Sequence, residues 1–415
     1  MNNLLQLFKL LLCITLVVSF TAEAQTFTVD PGHQHQRVVF GGDGKLTIRP
    51  WANGNVDLTS ERLFGDMNLR ILRVPIFALV PISDPLYDDV IEVIQAVQSV
   101  NPDVKIFASV ANGNGTTDNS IHGAAKFPPG WRGCCPNNVY QLNLAQYASY
   151  LDSFMTRMNE AGITIDYLGP WNEDPAVSRD HNLVFNQMDN LGDTQRVGLE
   201  AFALNTSIGR VNAVEDASDI TGSHFYDDTS IPQLDWEDRW RELFITSANP
   251  VWYTEATRYT TADGLDRLVA GMENIFPAIN SGAESIIFYQ VVRRFVQTNG
   301  NTQPIKYSGF RAIVNATADT RVVESSTSDE NIQGVAFSNG ERAEIFLLNR
   351  SSFDRGVQIR LENGYAAGGQ VRRWRWDANS TEALNSFTLN GNKQWISTVP
   401  ANGFIRLQVP LTRDQ

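Results

Sequence analysis

Cysteine is almost missing. The 415-residue sequence has three, and Cys13 falls in a stretch that reads as a removable leader, which leaves the adjacent pair Cys134 and Cys135. Neighbouring cysteines cannot build a cross-linking framework; in an oxidising compartment they close a strained vicinal ring or stay free. Histidine is sparse too, with five residues. His33 and His35 in "GHQHQ" alternate as on a strand face. Two ligands are too few for a zinc site, so they read as a solvated strand edge, and neither a metal nor a cofactor is expected. After the first 24 residues no run is apolar enough to cross a membrane. Positive charge is in deficit, with 33 Lys and Arg against 46 Asp and Glu and a net charge of −13. Such an acidic chain is a poor partner for nucleic acid. No Pro-, Ser- or Gly-rich linker, internal repeat or low-complexity tract stands out.

What is present begins with the leader. Lys9 precedes an apolar stretch from Leu10 to Phe20, and "AEA" ends at Ala24. A basic start, a short apolar core and small residues at the end predict an export signal over residues 1–24. Cys13 lies inside the apolar core and not after it, which argues against a lipid anchor. Lys9 and Glu23 cancel, so the acidic balance belongs to the chain that starts near Gln25. The expectation is a secreted or periplasmic protein, monomeric, with one large domain and a smaller one.

Two textures follow. From about residue 65 to 316, apolar runs alternate with amphipathic stretches. "LRILRVPIF", "DVKIFASV", "IDYLGPWN", "GRVNAV", "DITGSHFY", "PVWYTE" and "ESIIFYQ" read as strands, with an earlier one at "KLTI" or "VVFGG". Between them, Leu144, Tyr147, Leu151, Phe154 and Met158 share one helical face, and Gly162 suits its stop. Repeated strand–helix alternation implies a parallel sheet, and a tally near eight favours a closed (β/α)8 barrel of the α/β class over residues 46–316. Beyond about residue 317 the runs are short, β-branched and punctuated by Asn-Gly and Gly-Gly, the pattern of a β-sandwich over 317–415. Residues 25–45 are strand-like as well and are expected to complete that sandwich.

The chemistry lies at strand ends. "LGPWNEDP" places Asn172, Glu173 and Asp174 directly after a buried run. A carboxylate there costs desolvation unless it is paired or used. "PVWYTEAT" repeats the pattern with Glu255, about 80 residues later, or about three strand–helix units in a barrel. If Glu173 ends the fourth strand, Glu255 ends the seventh, and the two mouths face each other at the C-terminal end. Paired carboxylates flanking one bond are what glycoside hydrolysis needs. The plain alternative is a pair of rim salt bridges.

These segments resemble glycoside hydrolase family 30. "YQLNLAQYASYLDSFMTRMNEAGITIDYLGPWNEDP" is similar to the family's long helix, strand and Asn-Glu motif, and "VWYTE" to its nucleophile strand. "IKYSGFRAIVNATADTRVVESS", "VAFSNGERAEIFLLNRS" and "VPANGFIRLQV" resemble the return into its β-domain, a strand pair there and the closing strand. The resemblance implies Glu173 as acid/base, Glu255 as nucleophile and Asn172 as the contact to the sugar hydroxyl beside the anomeric carbon. It implies Arg73 in "LRVPI" as support for the nucleophile, with a structural ion pair as the alternative. His224 and Tyr226 match the sixth-strand position, and Tyr289 stands near the eighth-strand position where the family usually has tryptophan. Arg293 in "VVRRF" is similar to an arginine that reaches a uronic acid in the family's bacterial glucuronoxylanases; its alternative is a helix-start ion pair. Trp131 in "FPPGWRGCC" is the sugar-stacking candidate or a loop-packing residue.

The sequence departs from the family where Asp174 precedes the proline of Asn-Glu-Pro, and where Trp171 stands before Asn172. The resemblance implies a retaining β-glycosidase acting on a polysaccharide or oligosaccharide, xylanase-like or directed to an acidic glycan. The alternatives are a clan relative acting on β-1,6-glucan, β-1,6-galactan or an algal galactan, and a non-catalytic carbohydrate-binding protein.

Overall fold

A computed structural model describes residues 25–115, 121, 123–132, 141–174 and 183–413. The leader over 1–24 and the pair Cys134 and Cys135 lie outside the described residues. After a first strand β1 (Gln25–Gln34), eight parallel strands close a barrel. They are β2 (Val39–Asp43), β3 (Ile71–Ile76), β4 (Lys105–Val110), β5 (Tyr167–Gly169), β6 (Gln195–Ala201), β7 (Ile220–His224), β8 (Val251–Ala256) and β9 (Ser285–Phe288). β9 pairs back onto β2. These strands are covered on both faces, which is why most read as near-continuous apolar runs. The helix Leu144–Glu160 buries Tyr147, Leu151, Phe154 and Met158, starts on an Asn143 side chain that accepts from the Gln146 N–H at 3.2 Å, and gives way at Gly162, whose φ is +75°.

Two readings need correction. The barrel starts at Val39 and not at 46: "VVFGG" is the first strand, whereas Ile48–Ala52 is helical. Gly41 and Gly42 pair with β3 and β9 at once, so this segment is sheet interior and not sandwich edge. "GRVNAV" is the end of the helix Leu204–Val214, whose Val211 and Val214 face the core; the fifth strand is "QRVGLEA", which the sequence reading passed over.

The second domain is one nine-stranded sheet ordered β15-β14-β17-β12-β11-β10-β1-β13-β16. Its later strands are β10 (Arg321–Thr327), β11 (Ile332–Ser338), β12 (Arg342–Asn349), β13 (Arg355–Leu361), β14 (Tyr365–Asp377), β15 (Ser380–Asn392), β16 (Gln394–Val399) and β17 (Gly403–Arg413). The sheet folds over so that β13 meets β14 and β16 meets β12 and β17, enclosing Phe27, Val29, Ile345, Leu347, Ile359 and Leu407. β1 runs antiparallel to β10 and parallel to β13, so the N-terminal strand joins the two layers. The outer residues of the sheet, Val335, Phe337, Phe346, Leu348, Trp376 and Phe404, belong to the same core as the barrel helices. Trp376 Nε1 donates to Ser308 Oγ at 2.8 Å across that boundary.

Candidate active site

The barrel interior is built in layers. Ile71, Phe107, Val197, Ile220, Trp252 and Ile287 plug its lower part. Two residues further along β3 and β4, the same inward face carries Arg73 and Ser109, both fully buried. Strict alternation would turn the carboxylates of β6 and β8 away from this layer, but both strands slip register there. Glu200 is an extra residue between Leu199 and Ala201, and it and Leu199 have left-handed backbones with φ of +45° and +71°. In β8 Thr254 is the extra residue, placing Glu255 opposite His224. Bulges of this kind re-aim side chains at barrel rims. Gly169 and Gly222 leave the room Glu200 occupies: a Cβ on Gly169 would lie 2.3 Å from Glu200 Oε2, and one on Gly222 2.9 Å from its Cγ.

Arg73 is the hub. Its guanidinium donates to Asp43 Oδ2 at 2.9 Å, Glu255 Oε1 at 2.6 Å and Asn172 Oδ1 at 3.0 Å, and also to Glu200. Burial works against its charge, but Glu200, Glu255 and Asp43 outweigh that and hold it protonated. Lys45, also buried, places Nζ 2.9 Å from Glu255 Oε1 and donates to Asn172 Oδ1 at 2.5 Å. Tyr226 donates to the other oxygen, Glu255 Oε2, at 2.9 Å. Burial would raise the Glu255 carboxyl, yet its interactions with His224, Lys45 and Arg73 win and hold it well below the usual carboxylate range. Burial and the two glutamates keep the Tyr226 phenol protonated as a donor. Asp43 goes the other way: burial outweighs its cations and pushes it up to about 6.

Glu173 stands opposite. Its φ of +59° is left-handed, and its N–H is held by Glu200 O at 2.9 Å. Asn112 donates to its Oε2 at 2.6 Å, and His224 Nδ1 lies 3.2 Å from its Oε1. The same Nδ1 is 3.6 Å from Glu255 Oε2. One oxygen of each glutamate and this nitrogen lie within 4.8 Å of one another. By distance alone the three could ligate a cation, but Glu255 already carries Arg73 and Lys45, whose charges oppose a further positive ion. Asn172 offers its oxygen to two cations that can only donate, so its Nδ2 is the end left for a ligand.

The departures from Asn-Glu-Pro have a physical account. Asp174 is buried against Lys126, whose Nζ donates to Asp174 Oδ2 at 2.7 Å and to Asn172 O at 2.8 Å. An ion pair thus fixes the strand end. Trp171 is buried edge-on to Phe127 and Tyr147.

The structure therefore brings together Asn172, Glu173, Glu255, Arg73, His224 and Tyr226. Tyr289 stands near them with its hydroxyl accepting from Gln290 Nε2 at 3.1 Å and the Arg294 guanidinium 5.0 Å from its ring. Arg293 is exposed on a left-handed backbone with φ of +81°, and no ion pair joins it to another described residue. It shares a cavity of about 200 Å³ with Lys45, Arg49 and Phe77. Trp131 is set apart and half-buried, its ring 5.4 Å from Tyr150 and 6.1 Å from Tyr147. Sequence reasoning missed Asp43, Lys45, Asn112, Lys126 and Glu200. Lys45 in "GGDGKL" directly follows a strand and was within reach, had the first strand been placed at "VVFGG".

No family model and no curated protein matches the chain by sequence. Solved structures do match. A family 30 endoxylanase from Clostridium papyrosolvens superposes with a TM-score of 0.70 at 17% identity, covering 93% of this chain and 100% of its own. A family 30 subfamily 8 xylanase from Clostridium acetobutylicum gives 0.69 at 16%, covering 93% and 99%. An endo-β-1,6-glucanase gives 0.60 at 12%, covering 92% and 94%. From β1 to β17, the barrel with its folded-over sheet is the fold of the family 30 glycoside hydrolases.

Proposed function

We propose that the protein is an exported, monomeric, retaining glycoside hydrolase that cleaves β-glycosidic bonds in a polysaccharide or oligosaccharide. The observation that carries this reading is the pair Glu173 and Glu255, converging from the fourth and seventh barrel strands with one oxygen of each within 4.8 Å. Carboxyls about 5–5.5 Å apart leave no room for an attacking water and call for a covalent intermediate. Their surroundings divide the labour. Glu255, held ionised by Lys45 and Arg73, attacks the anomeric carbon through Oε2, the oxygen those cations do not engage. Glu173 donates a proton to the leaving oxygen and then takes one from the incoming water. Asn172 Nδ2 binds the hydroxyl beside the reacting carbon.

Proton NMR of the first-formed product tests the stereochemistry; an inverted anomer removes the reading. Glu255→Ala should abolish turnover. Glu173→Gln should slow natural glycans far more than activated aryl glycosides, which leave without a proton. Equal slowing of both would contradict the acid role. Binding without turnover on a panel of xylans, β-1,6-glucan, β-1,6-galactan and algal galactans would favour the non-catalytic alternative.

A second observation favours an acidic glycan. The cavity that Arg293 shares with Lys45 is lined also by Arg49 and by the uncharged Leu46, Ile48, Pro50, Phe77 and Gly115. A guanidinium there can hold a carboxylate or sulfate in two-point fashion. Arg293→Ala, assayed on matched acidic and neutral glycans, should lose activity on the acidic one selectively; equal retention on both ends the idea.

A further inference from the structure

The segment that leads out of β1 carries a group with no part in the cleft. β1 and β10 pair in register from Phe27 with Thr327 to Asp30 with Glu324, but the next pair is Gln34 with Val323. Pro31, Gly32 and His33 are therefore looped out of β1 against nothing on β10. The bulge keeps His33 beside the same stretch of β10 that His35 reaches. The two imidazole rings lie 4.7 Å apart and tilted by 39°, and His35 Nε2 is 2.9 Å from Glu324 Oε2. One ligand atom from each of the three residues falls within 4.8 Å of the others. The sequence supplied two ligands; the fold adds a third from a strand nearly three hundred residues away.

We propose that His33, His35 and Glu324 form a binding site for a borderline divalent transition cation of the zinc or copper(II) class. Two imidazole nitrogens with one carboxylate oxygen are the donor set such ions take, whereas calcium and magnesium require oxygen ligands throughout. Tetrahedral bonds of about 2.0 Å place neighbouring ligand atoms about 3.3 Å apart, so the ligand atoms need to close by up to about 1.5 Å. All three are exposed, and small rotations meet that need without disturbing a packed core. The open side leaves the fourth position to water. Bound there, the ion ties β1 to β10 at the point where the chain passes from sheet to barrel.

The test uses the full-length exported chain without a histidine tag, titrated with zinc chloride by calorimetry and followed by thermal unfolding. One equivalent should bind and raise the Tm. His33→Gln should abolish both effects while leaving the His35–Glu324 contact in place, which separates a metal site from a plain ion pair. Glu324→Gln should do the same, and glycan cleavage should be unchanged in both variants because neither residue touches the cleft. Absence of zinc binding overturns the proposal. So does binding that survives both substitutions, since the ion would then sit elsewhere, and so does an equal Tm rise with calcium chloride.

Discussion

At the scale of single residues, two buried cations converge on one oxygen of Glu255 and hold that carboxylate ionised. Lys45 and Arg73 both reach Glu255 Oε1 and both hold the oxygen of Asn172. Lys45→Met should lower kcat/KM by about 10²-fold, the usual cost of one donor aimed at reacting charge; unchanged kinetics would reduce Lys45 to a filler. Asp43 gives the site a pH signature. Its carboxyl, pushed up to about 6, contributes stability that is fully present below the unfolded value of about 4 and is lost as the pH rises through 6. Glu255, with its depressed carboxyl, contributes stability present above about 4 and lost only as the pH falls further. Between pH 6 and 4 the two do not overlap. The Tm of the parent relative to Asp43→Asn should therefore climb as the pH is lowered across that window. A pH-independent difference would show that Asp43 does not titrate there.

At the scale of elements, legibility followed burial pattern. β3, β4, β8 and β9 were readable because strands covered on both faces are apolar throughout, and Glu173 and Glu255 were readable because a carboxylate after such a run is conspicuous. β6 was not, because its register slip inserts Glu200 and its first residues are polar. β15 carries little signal for a different reason: it lies at a sheet edge with almost no buried face, so no alternation is imposed on it. Arg73 was found through the resemblance alone, since nothing in "LRVPI" announces a hub whose partners come from five other strand ends. The Lys126–Asp174 pair could not be read at all, because it joins a short 3-10 turn, Gly123–Lys126, to the segment after β5, and neither carries a periodic pattern. Lys126→Met would leave Asp174 charged, buried and unpaired, at a cost of about 3–5 kcal/mol. Chemical denaturation should show that loss, and Lys126→Met with Asp174→Asn should recover part of it; a stable single variant would mean the pair contributes little.

At the scale of the whole molecule, barrel and sheet share one core. Phe337, Phe346, Trp376 and Phe404 are buried among barrel helices, and each would lose about 1.5–3 kcal/mol of burial if the domains parted. A 25–316 fragment should consequently be insoluble; a soluble, active one would show the barrel to be self-sufficient. The place of β1 reaches further. It is the earliest strand among the described residues, yet both its neighbours, β10 and β13, belong to the last third of the chain. The sheet cannot be finished while the chain is still being made. β1 must wait for β10 and β13, and closure over so long a separation is slow. A chain cut short before Arg321 never completes that sheet and leaves β1 without either neighbour, so truncation at the rear undoes the structure at the front.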